Sequence, residues 1–113
     1  MPLVIDTSLL LSYFSKDHPN KANAVESLLK NSKNQLVIPD IVITELVWVL
    51  MSPRSIYKLS KDQVITVISG ILSLPGNIVI KRNVIGLTLE IFKKTNISWN
   101  DCFLAALVKI RSY

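Results

Sequence analysis

Three apolar triplets, Leu3-Val4-Ile5, Leu36-Val37-Ile38 and Ile78-Val79-Ile80, recur along this chain at intervals far too long for hairpins. Strands joined by long connections pair in parallel through crossovers, usually helical ones. Short continuous apolar runs bounded by polar residues suit parallel strands buried on both faces. The alternation of such runs with helix-length segments predicts a three-layer α/β domain, a short parallel sheet flanked by helices. With 113 residues, one domain spanning 1–113 is expected.

The connecting segments carry helix signals. A short helix is predicted over 7–14. Ser15 to Asn20 reads as a turn holding the lone histidine, His18, an expected exposed residue with no metal partner nearby. Pro19 then opens a helix with Ala22, Val25, Leu28 and Leu29 on one face. Asp40 is an expected N-cap for a helix over 41–51, apolar at every position except Thr44 and Glu45. A helix apolar all round is expected to be buried all round. Ser52-Pro53-Arg54-Ser55 breaks it. Ser60 is an expected cap for the next helix, ending at Leu72, with Val64, Ile65, Val67, Ile68, Ile71 and Leu72 inward. Pro75-Gly76-Asn77 turns into the third strand. A helix over 83–94 is expected to bury Val84, Leu87, Ile91 and Phe92. The last helix starts near Asn100, and Ser98 with Asp101 fits the capping-box pattern.

Composition narrows the function classes. Half the residues are apolar and 19% charged, which excludes a disordered chain. No uninterrupted apolar run, Leu46 to Met51 among them, is long enough to cross a bilayer, and no basic leader opens the chain, so neither a membrane span nor a signal peptide is expected. The single cysteine, Cys102, fits a reducing cytoplasm and reads as a small buried hydrophobe. A net charge of +5 favours polyanionic partners such as RNA, DNA or an acidic protein segment.

Three acids stand at positions that invite chemistry. Asp6 ends the first strand, where open α/β sheets place their ligands, although Asp6, Thr7 or Ser8 could equally cap the following helix. Glu45 lies within the apolar helix, flanked one turn away by Ile41, Val42, Trp48 and Val49, with no cation of its own helix in reach. Buried there, it needs a cation, a hydrogen-bond network or neutralisation; alternatively it marks one narrow wet stripe. Asp101 opens the last helix, where a carboxylate also suits the helix dipole. Three carboxylates gathered at one sheet edge call for a divalent cation, and hard ions such as Mg²⁺ and Mn²⁺ take oxygen ligands.

The order Val4-Ile5-Asp6-Thr7-Ser8, Ile43-Thr44-Glu45-Leu46-Val47-Trp48-Val49-Leu50, then Asn100-Asp101-Cys102-Phe103-Leu104-Ala105-Ala106-Leu107 resembles a PIN domain from end to end. It is similar in style to the ribonuclease toxins of VapBC-type toxin–antitoxin pairs. The resemblance implies a Mg²⁺- or Mn²⁺-dependent endoribonuclease. Asp6, Glu45 and Asp101 would be catalytic metal ligands, and Thr7, Ser8 and Asn100 would position substrate or water. It also implies an antitoxin partner whose segment covers the acidic cleft, and a homodimer. Domains of this kind usually continue into a further strand with a fourth acid, which is not seen before Tyr113. The last strand is therefore expected to be missing and the first strand to lie on an open edge. A shortened, catalytically inactive module binding RNA or a protein is the alternative expectation.

Overall fold

A computed structural model describes residues 2–14, 23, 26–27, 35–74 and 76–111. These fall into two compact units, Met1–Ile80 and Lys81–Tyr113. The first holds β1 (Pro2–Val4), α1 (Thr7–Phe14), β2 (Gln35–Ile38), α2 (Asp40–Met51), α3 (Lys61–Leu72) and β3 (Asn77–Val79). The second holds α4 (Arg82–Lys94) and α5 (Trp99–Ile110). The turn at His18 and nearly all of the helix expected around Ala22 to Leu29 lie outside the described residues. Asn23, Glu26 and Ser27, which are described, are helical.

The sheet is parallel, in the order β1-β2-β3, as the triplets predict, and β1 lies at an edge of these three strands. The expectation of burial on both faces does not hold. Ile5, Leu36, Ile38 and Val79 point into the core. Val4, Val37 and Ile78 stand in register across the opposite face, where Val4 is 71% and Ile78 47% exposed. The alternation is that of a sheet covered closely on one side only. Gly76 takes a left-handed φ of 70° in the turn entering β3, a conformation costly for other residues. The Asn77 side chain donates to the Ile71 carbonyl at 2.7 Å, tying that turn to the end of α3.

Within the first unit, α1 packs on α2 and α2 on α3. Leu10, Ile43, Leu46, Leu50, Val64 and Ile68 are sealed from solvent between these helices and the sheet. α3 follows its sequence pattern closely. Ser60 caps it through a complete capping box with Gln63, and Val64, Ile68 and Ile71 form the buried stripe; Ile65, Val67 and Leu72 lie half-buried at its margins.

α2 departs from expectation twice. Its N-cap is Pro39, which offers no side-chain acceptor, and Asp40 stands in the first turn instead. Nor is it buried all round: Ile41 is 63% and Trp48 67% exposed, and Glu45 between them is exposed as well. Three residues at i, i+4 and i+7 line one helical face, so this stripe is open to solvent from end to end.

In the second unit the buried face of α4 comprises Val84, Ile85, Thr88, Leu89 and Phe92, not the expected Leu87 and Ile91, which are half-exposed. Thr88 can be inward because its hydroxyl donates to the Val84 carbonyl at 2.7 Å. Phe92 meets Trp99 edge to face, with ring centroids 5.3 Å apart. Cys102 is fully buried, as expected, with its sulfur 3.7 Å from the Ile97 carbonyl oxygen.

Candidate metal and nuclease site

The chain leaves β1 through buried Ile5, whose N–H still donates to the Val37 carbonyl at 2.8 Å. That anchor fixes where Asp6 emerges, at the C-terminal end of the strand and the start of α1. Asp6 Oδ1 accepts the Leu9 N–H at 2.8 Å, a cap on the new helix. The capping reading of Asp6 is thus structurally right, and it occupies one carboxylate oxygen. Asp6 itself is exposed and has no further partner among the described residues.

Thr7 provides the link to the second acid. Its hydroxyl donates to Glu45 Oε2 at 2.8 Å, across 38 residues of sequence, joining the first turn of α1 to the middle of α2. Glu45 is therefore neither buried nor unpartnered; the hydrogen bond holds one oxygen and leaves Oε1 without a partner among the described residues. Ser8, exposed, follows on the same turn. With Val4, Asp6, Leu9 and Ser12 it lines a shallow open depression at the end of β1.

Asp101 belongs to the other compact unit. It stands exposed in the first turn of α5, where its backbone N–H donates to Ser98 Oγ at 3.3 Å. Asn100, beside it, is also exposed. Half of the predicted capping box is formed there: the reciprocal bond to the Asp101 carboxylate is not made among the described residues, and that carboxylate remains available.

The first unit thus brings together Asp6, Thr7 and Glu45, an all-oxygen group at the carboxyl edge of the sheet. Among the described residues no three His, Cys, Asp or Glu side chains gather closely enough to hold a metal ion. Mg²⁺ nevertheless needs only one or two carboxylates, since it keeps several waters and takes substrate phosphate oxygens. Asp6 and Glu45 each face solvent with one oxygen held and the other free, the donor type such an ion takes. The alternative that Glu45 marks a narrow wet stripe holds: Trp48 and Ile41, one turn to either side of it, share its exposed face. The signal was present in their i+3 and i−4 spacing.

No curated protein and no solved structure matches the chain to a significant degree. Among the described residues, no helix is long and apolar enough to cross a membrane. A family model for the PIN domain matches residues 3–112, a span that includes all three acids. PIN domains are generally nucleases. On a match running almost from end to end, this chain belongs to the PIN domain family.

Proposed function

We propose that the chain is a Mg²⁺- or Mn²⁺-dependent endoribonuclease of the toxin type. The observation that carries this reading is the Thr7–Glu45 hydrogen bond, which ties two solvent-facing acids of distant sequence to one edge of the sheet. Asp6 and Glu45 would hold the cation through their free oxygens, with Asp101 as the third carboxylate. A bound divalent ion lowers the pKa of a coordinated water and stabilises charge on the phosphodiester oxygens.

The chain's own residues supply the orientation. Thr7 fixes the Glu45 carboxylate, and the α1 cap fixes Asp6, so neither acid must reorganise when substrate arrives. Ser8, which lines the depression with Asp6, and Asn100, exposed beside Asp101, would hold a phosphate oxygen or the attacking water. The net charge of +5 favours the RNA backbone. A role beside an antitoxin fits the openness of the depression, which a partner segment could cover. Pairing of two copies is supported by the exposed apolar row of Val4 and Ile78. One functional domain is supported by a family match that runs through both units. A cytoplasmic location follows from the same reading together with the free cysteine.

Thermal melting with and without Mn²⁺ tests the metal site apart from catalysis. Wild-type protein is expected to gain stability with Mn²⁺, and Glu45→Gln to lose that gain while melting normally without metal. An equal gain in both would refute Glu45 as a ligand.

A further inference from the structure

One exposed aromatic side chain stands beside Glu45. Trp48 is 67% exposed on a helix whose other large apolar side chains, Ile41 apart, are buried or half-buried. It lies three residues after Glu45, so their Cβ atoms are about 5–6 Å apart on one face of α2. An exposed tryptophan contributes little to the core and leaves its ring open to a partner from outside the chain.

We propose that Trp48 is the stacking platform for one base of a single-stranded RNA whose backbone runs past Glu45. The proposal rests on the nuclease reading and adds a substrate-positioning residue to it. Every base has a flat π-face, so stacking on an aromatic ring holds a nucleotide without selecting its sequence. With the base fixed on Trp48, the attached backbone lies one helical turn away, beside the free oxygen of Glu45. The exposed stripe favours a nucleotide over a protein segment. Its two apolar residues, Ile41 and Trp48, are separated by a carboxylate, and protein interfaces exclude charge from their apolar centres. An apolar protein surface laid over this stripe would strand the Glu45 charge, whereas a strand of RNA leaves it in contact with water and cations.

The chain offers a direct readout, because its other tryptophan, Trp99, is buried against Phe92. RNA bound with EDTA present, so that metal-dependent cleavage is off, is expected to quench the solvent-exposed component of tryptophan emission. Trp48→Phe should abolish that quenching yet keep most of the affinity. Trp48→Ala should weaken binding about 5- to 150-fold, the alanine-substitution cost of one base stack. In cleavage assays with Mn²⁺ the loss should fall on KM more than on kcat. The melting temperature of both variants should stay near wild type, since the ring is exposed. If Trp48→Ala binds and cleaves RNA as wild type does while Glu45→Gln cleaves nothing, the nuclease reading stands and the stacking proposal falls. If wild type neither binds nor cleaves RNA, both fall. Emission that responds to an acidic polypeptide such as poly-glutamate but not to RNA also overturns the stacking proposal.

Discussion

α2 and α3 are helices of equal length in the same compact unit, yet they obey different rules. α3 has a complete capping box, a narrow buried stripe of Val64, Ile68 and Ile71, and an exposed side that carries Asp62, Gln63 and Thr66. α2 has no side-chain cap and exposes an isoleucine and a tryptophan. The departures in α2 lie on the face that carries Glu45. Local violations of stability rules gather where a surface serves something other than folding. α3 holds the unit together; α2 does so too on its inner side, while its outer stripe faces solvent.

Substitutions can break or sharpen that contrast. The largest effect is expected at Glu45: replacement by Gln should lower RNA cleavage at least about 10³-fold, roughly 4 kcal/mol of barrier. The melting temperature should scarcely move, because the side chain is exposed. Ile68→Ala, in the sealed stripe of α3, should do the reverse. It is expected to cost about 3 kcal/mol of stability by denaturant unfolding, the usual penalty for a buried cavity, with residual activity tracking the folded fraction. Ser60→Ala removes one half of the capping box and should cost about 1 kcal/mol, read the same way. The smallest effect is expected at Ile41→Ala, within about 0.5 kcal/mol of wild-type stability despite the size of the side chain removed. A loss at Ile41 as large as that at Ile68 would mean that the outer stripe of α2 is structural after all.

The contrast also shows what could be read from the chain. The parallel sheet was legible because its three triplets are short, apolar and widely spaced, and α3 because its cap and its apolar spacing agree. The single open face of the sheet was not legible. Val4 and Ile78 look like core residues in sequence, and only strand pairing shows that they share the uncovered side with Val37. In α4 the half-exposed Leu87 and Ile91 misled the pattern, because Thr88, polar by composition, satisfies its hydroxyl on its own helix and turns inward. Asp6 and Glu45 could be singled out, since carboxylates beside apolar runs demand a reason. The bond between Thr7 and Glu45 could not, because nothing local in sequence connects residues so far apart. Trp48 looks like core because it sits among apolar neighbours, and its spacing of three from Glu45 is the sequence sign that it shares an exposed face.

The central claim is that Asp6 and Glu45, joined through Thr7, form a metal-dependent nuclease site. It is tested most directly by Mn²⁺-dependent cleavage of a mixed RNA pool, compared across wild type, Asp6→Asn and Glu45→Gln at matched folded concentration. Asn at position 6 keeps the helix cap, so the fold is preserved while the ligand charge is lost. Cleavage by wild type that needs Mn²⁺ and vanishes in both variants is the predicted result. Cleavage that persists in the variants, or a well-folded wild type that leaves the RNA intact with Mn²⁺ present, would contradict it.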